Sequence, residues 1–168
     1  MSLSMYQASV PAIVQMLNAL SAILDKAAAH AEAEGIEPAA LINARLAPDM
    51  HPLARQVMMA TDHAKGMTAR LSGRDVPKYE DTETTFDELK ARIAKTIAFV
   101  KSVPASEIDG AEERPVTMTL GSGRKLEFTG ERYLVHFALP NFYFHVTTAY
   151  DILRHKGLEI GKRDFMGA

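Results

Sequence analysis

Residues 136–155 read HFALPNFYFHVTTAYDILRH. Phe137, Phe142, Tyr143, Phe144 and Tyr150 cover more than one face of the helix that this stretch predicts. A helix apolar nearly all round is either central to its domain or shared with a partner chain. Three histidines, an asparagine and a proline interrupt the apolar surface. Asn141 and His145 are four residues apart, so about 400° of rotation brings them to the same side. His136 stands nine residues before His145, which on a straight helix places the two on opposite sides. A kink or π-bulge at Pro140 would turn the two halves of the helix relative to each other. Thr129 is the expected cap of this helix, which runs from Glu131 to Lys156 and stops at Gly157.

Upstream, Val116 to Leu120 and Lys125 to Thr129 are β-prone and flank Gly121 and Gly123, which predicts a small hairpin. Before it, Thr85 and Glu88 have capping-box spacing, and Phe86, Leu89, Ile93, Ile97 and Val100 form a helical stripe that ends before Pro104. Residues 72–84 read as a crossover loop. A second long helix carries Leu53, Val57, Ala60, Ala64, Met67 and Leu71, with Asp49 as its expected cap and Pro52 in its first turn. His63 lies one step off that stripe and borders the core. From Ser4 to Glu34 the stripe is Val10, Ile13, Leu17, Leu20, Leu24, Ala27 and Ala31; Pro11 bends the first turns or marks the start, and Gly35 ends the helix. A short helical turn is expected over 38–44, and the tail from Leu158 reads as irregular. The sum is an all-α domain over residues 1–168, a four-helix bundle with crossover connections and a small β-hairpin before the last helix.

The 168 residues suffice for one core without disulfides. The 19 basic and 21 acidic residues are interleaved, which leaves no electrostatic footprint for nucleic acid. The absence of cysteine removes thiolate chemistry and fits a reducing compartment. The N-terminal stretch lacks the pattern of a signal peptide, and no uninterrupted apolar run reaches bilayer length. The expected setting is the cytoplasm, with no membrane and no nucleic acid as partners.

Metal sites in bundles are built from side chains on facing helices, and neutral imidazole is the commonest nitrogen ligand. His63 and His145 are the pair that could meet in this way. The ordinary alternative is that each fills a polar niche at the edge of the core, which the residues alone favour. His30, His51 and His155 need no chemistry: a solvated helix position, a helix start and a dipole-compensating last turn account for them. Asp62 points about 100° away from His63, toward solvent or an adjacent helix. Met58, Met59 and Met67 read as adaptable core fillers. There is no glycine-rich phosphate loop, serine elbow or paired-carboxylate motif.

The stretches LPNFYFHVTTAYDILRHKG and APDMHPLARQVMMATDHAKG, with the closing GKRDF, resemble a bacterial family of unknown function that is similar to the DinB-like metalloenzyme superfamily. The resemblance covers essentially the whole chain. It implies a commonly dimeric four-helix bundle whose metal triad takes one histidine from helix two and two, four residues apart, from the last helix. Counting back from Leu153, Arg154 and Gly157 places His145 and Asn141 at the last-helix positions, and His63 matches the helix-two member. The departure is Asn141, because an amide oxygen is a poor substitute for imidazole at zinc or nickel. His136 supplies a third nitrogen if the helix bends at Pro140; otherwise water and a tyrosine complete the sphere, with Tyr143 the candidate in the pocket.

The expectation is therefore a divalent metal, zinc, nickel or manganese, between helices two and four, serving a hydrolase or transferase that acts on a small molecule. The resemblance also implies a homodimer. Two alternatives stand beside it: a non-catalytic dimeric binding protein that has lost the metal, and a thiol-dependent transferase.

Overall fold

The structure is a computed structural model and describes residues 3–167. It is mostly helical, with four helices of 17 to 30 residues: α1 (Met5–Glu34), α3 (Leu53–Ser72), α4 (Phe86–Ser102) and α7 (Leu139–His155). Shorter helices are α2 (Pro38–Ile42), α5 (Ala105–Ile108), α6 (Gly130–Tyr133) and α8 (Lys162–Met166). The strands β1 (Pro115–Thr119) and β2 (Lys125–Thr129) form one antiparallel hairpin, with Thr117 opposite Glu127, before the last long helix.

Helix α3 packs against both α4 and α7, and α1 packs against α4, α7 and α8. Every member of the expected α1 and α3 stripes is buried, among them Leu17, Leu20, Leu24, Leu53, Met67 and Leu71. Leu89 and Ile93 from α4 and Phe142, Ile152 and Leu153 from α7 close the same core. Helix α1 begins six residues before Pro11. Gln7, whose carbonyl that proline leaves without its usual donor, is exposed, as is Pro11 itself, so water can take the bond. The expected capping box of α4 forms, with Thr85 Oγ1 accepting from Glu88 N at 3.2 Å and Glu88 Oε2 accepting from Thr85 N at 3.0 Å.

Two expectations change, and a third is narrowed. Pro52, not Asp49, is the N-cap of α3; the residues around Asp49 close a separate turn, in which Met50 N donates to Ala47 O at 3.0 Å. The tail is not irregular. Asp164 Oδ2 accepts from Gly161 N at 2.8 Å and Asp164 also pairs with Lys26, which starts α8 and ties it to α1. Finally, α1 has the length and composition of a membrane span, although Gln15, Asn18 and Ser21 interrupt its apolar run and half of its most apolar window is buried in the domain.

The last long helix departs from regular geometry. It starts as α6, passes through a π turn at Leu134–Ala138 and continues as α7. Leu139 N donates to Leu134 O, five residues back, and Pro140 follows. At its start, a Cβ on Gly130 would lie 1.9 Å from the carbonyl oxygen of Ala111, while Glu131 N donates to Glu112 O at 2.9 Å. Backbone meets backbone there, so nothing flexible can give way. Gly130→Ala is expected to destabilise the domain by about 1–3 kcal/mol or more. Gly121→Ala, at a position open to solvent, should shift stability little. Urea denaturation of the two variants checks the contrast.

Candidate functional site

Seven residues turn a helix nearly twice, so Gln56, His63 and Arg70 line up along one side of α3. Across the seam, Tyr133, Phe137, Asn141 and His145 recur every four residues along the last long helix. The two lines run antiparallel and meet in order. Gln56 Oε1 lies 2.8 Å from His145 Nδ1. The His63 ring is 5.4 Å from that of His145, nearly parallel at 14°, and 6.1 Å from Phe137. Arg70 Nη1 donates to the Tyr133 hydroxyl at 3.1 Å, and Tyr133 stacks on Phe137 at 5.9 Å.

Hydrogen-bond logic fixes the tautomer of His145. Gln56 Nε2 donates to the His51 carbonyl at 3.1 Å, so the other amide atom, Oε1, is an acceptor. His145 Nδ1 must then carry the proton, and Nε2 keeps its lone pair. This is how an outer partner orients a metal-ligating imidazole, and it equally satisfies a buried histidine. No fully buried side-chain nitrogen or oxygen among the described residues lacks a partner, so the imidazole nitrogens without one open to solvent.

Both rings are held neutral. Burial, then the nearness of His145, lowers His63 from 6.5 to about 4; Arg70 and Lys65 push the same way and Asp62 opposes them. Burial likewise lowers His145 from 6.5 to about 4, helped by His51 and Arg55. Asp62, the carboxylate that acts on His63, is itself engaged by Lys65 at 2.5 Å and by Arg92 at 2.8 Å. Arg92 is buried on α4 and also reaches Asp81, Glu83, Thr61 Oγ1 and the Glu80 carbonyl, which ties the crossover loop to α3 and α4.

Of the residues singled out from sequence, the structure brings together His63 and His145. His136 is exposed beside Glu131, Arg132 and Val135, because the π turn directs Phe137 toward His63. Asn141 is half-buried, and its Nδ2 donates to the Phe137 carbonyl at 2.7 Å, which leaves Oδ1 as its ligating atom. Tyr143 packs edge-on against Phe142 at 5.5 Å, and burial raises its phenol. His51 and His155 are exposed and His30 is half-buried. Among the described residues, hollows of about 230 to 520 Å³ open beside the crossover loop, between α1 and α8, and around the hairpin and the last long helix, and neither His63 nor His145 lines these. Sequence reasoning passed over Gln56, Arg70 and the Arg92 cluster, although the seven-residue spacing of polar side chains beside the α3 stripe was a signal for the first two.

His63 and His145 bring two neutral imidazoles together. Among the described residues no group of three or more His, Cys, Asp or Glu side chains stands where it could hold one ion. Of the three positions that the resemblance implies for the triad, the structure brings together the two imidazoles, His63 and His145.

A histidine whose folded value is depressed binds its proton more readily when the chain unfolds, so stability is full above about pH 6.5 and is lost as pH falls toward about 4. The melting temperature of metal-free protein should fall across that window. His63→Asn should make the fall shallower, and an unchanged slope would show that His63 is not held neutral. Gln56→Ala, which strands His145 Nδ1, should cost about 1–3 kcal/mol at neutral pH.

The comparisons with known proteins agree with this architecture. The chain is 40% identical to a DinB family member protein from Shewanella denitrificans whose crystal structure is known, with a TM-score of 0.88 over 97% of this chain and 92% of that one. No curated protein matches it. Residues 5–166 match the family described as Domain of unknown function (DUF1993), and the chain belongs to that family.

Proposed function

We propose that this chain is a cytoplasmic four-helix bundle of DinB type whose α3–α7 seam binds a divalent metal, zinc, nickel or manganese, through His63 and His145, and that it serves as a hydrolase or transferase for a small molecule. The observation that carries the reading is the meeting of two neutral imidazoles from different helices, one with its tautomer set so that Nε2 is free. The Asn141 oxygen and water would complete the sphere. Such a metal polarises a carbonyl or phosphoryl oxygen, or activates water. This chain's own part is to present two unprotonated rings, to hold His145 by Gln56, and to keep Asp62 occupied by Arg92 so that it does not draw a proton onto His63.

Protein purified without a histidine tag should gain thermal stability on addition of zinc, nickel or manganese. At a hundredfold excess over Kd the gain is about 2.7 kcal/mol, or about 5–10 °C in a chain of this size. The gain should vanish in His63→Ala and His145→Ala. The reading fails if neither metal content nor metal-induced stabilisation is found.

A second reading, a non-catalytic dimeric binding protein, is favoured by Phe144 and Val135, 55% and 46% exposed on the last long helix, and by the missing third histidine. It predicts a dimer in sedimentation that Phe144→Glu converts to a monomer, with no effect of metal on either species. A chain monomeric at all concentrations would remove this reading.

A further inference from the structure

The crossover segment between α3 and α4 is attached to the bundle by side chains. Over residues 75–83 no backbone group bonds to another backbone group among the described residues, and no residue from Gly73 to Thr85 is buried. Its two ends are pinned. Arg74 holds Glu107 through two 2.7 Å bonds, and Glu88 Oε2 accepts from Thr84 N at 2.7 Å and from Thr85 N at 3.0 Å. Between the pins the segment spans the α3–α4 groove rather than filling it: a hollow of about 500 Å³ separates Tyr79, Glu80 and Glu83 from Ala91, Arg92 and Lys95 of α4.

One clasp holds the middle. The buried guanidinium of Arg92 donates through Nη1 to the Glu80 carbonyl at 2.9 Å and to Glu83 at 3.1 and 3.2 Å, and its Nη2 lies 3.1 Å from Asp81, which Arg55 also engages. Tyr79 adds cation–π contacts, its ring centroid 4.2 Å from the Lys95 ammonium, 4.7 Å from that of Lys65 and 5.3 Å from the Arg92 carbon. The same guanidinium is held separately by α3, where Nε donates to Thr61 Oγ1 and Nη2 to Asp62, both at 2.8 Å. The two sets of bonds can part. A buried charge is costly to leave without a counterion, but when the segment lifts away Arg92 keeps Asp62, and its Nη1 meets water through the hollow. Asp81 and Glu83 return to solvent, the segment regains conformational freedom, and little apolar surface is uncovered, because its apolar residues are Val76, Pro77 and Tyr79, each only half-buried.

We propose that residues 75–83 form a strap that opens as a unit while the bundle stays folded, with Arg92 as the catch and the pinned ends at Arg74 and Thr84 as the hinges. Opening uncovers the α3–α4 groove at Lys65, Asp62 and Arg92, on the turn of α3 next to His63. The device is independent of the metal reading. It makes access to that side of α3 depend on ionic strength, because salt screens the half-exposed Arg55–Asp81 pair and the solvent-facing edge of the clasp.

The test is limited proteolysis of the full-length chain. Trypsin accepts Lys78 only when several residues on either side leave the bundle for the protease cleft, so cleavage after Lys78 counts opening events. Rates are normalised to those of the isolated peptide of residues 72–85 carrying the same substitutions. Asp81→Asn combined with Glu83→Gln, which leaves Arg92 on Asp62, should speed the cut about tenfold or more. Raising sodium chloride from about 0.05 M to about 0.5 M should speed it severalfold in the unaltered chain. Urea below the loss of helical circular dichroism should change the rate little, because opening exposes little surface, and the nicked chain should keep its helical signal. Cutting that appears only as helicity is lost, or that salt or a folded double variant leaves unchanged, overturns the proposal. If the double variant fails to fold, the salt and urea arms on the unaltered chain decide.

Discussion

A buried imidazole is tolerated only if it stays neutral and its N–H has an acceptor, and the α3–α7 seam is arranged around that requirement. Gln56 meets it for His145 at 2.8 Å. The same amide is oriented by the His51 carbonyl at the entry to α3, so the segment that starts this helix also sets the protonation pattern of a ring on the last one. Once His145 is fixed, His63 packs nearly parallel to it, and Phe137 and Tyr133 extend the row to Arg70.

The charges around the seam are divided between saturated and unsaturated groups. Arg92 is buried and every direction of its guanidinium is occupied by carboxylates, a hydroxyl or a carbonyl. Its work is structural: it draws the loop between α3 and α4 inward, and it neutralises Asp62, whose carboxylate would otherwise favour protonation of His63. Removing one member of such a buried cluster leaves charges uncompensated, which costs more than the pairs themselves contribute. Arg70, half-buried on α3, gives one side-chain hydrogen bond, to the Tyr133 hydroxyl.

The helices were legible because burial imposes a period. The stripes of α1 and α3 are continuous from Val10 to Ala31 and from Leu53 to Leu71, and all of these residues are buried. The capping box at Thr85 and the hairpin around Gly121 and Gly123 carry local signals that depend on two or three residues, so they too could be read. The direction of His136 could not. Its side depends on the π turn that spans it, Leu134–Ala138, whose two end residues are buried in the core, and a slip of one residue in the ladder leaves no mark on local periodicity. Gln56 and Arg70 were overlooked for another reason: each lies beside the apolar stripe, where a polar residue reads as the solvated edge of a helix until the facing helix is in place.

The amide at position 141 and the irregular helix around it are linked. Pro140 cannot donate a backbone hydrogen bond, and it follows directly on a stretch where the ladder has already slipped by one residue. A short polar side chain near such a break can return a donor to the carbonyl row, and Asn141 does so at Phe137 O. Asn141, which stands where the resemblance implies a histidine, thus ties α7 back to the turn that carries Phe137. Under this constraint the number of nitrogen donors in the seam and the shape of the helix that carries His145 change together, so restoring a third histidine at this position would alter the seam's geometry as well as its ligand count.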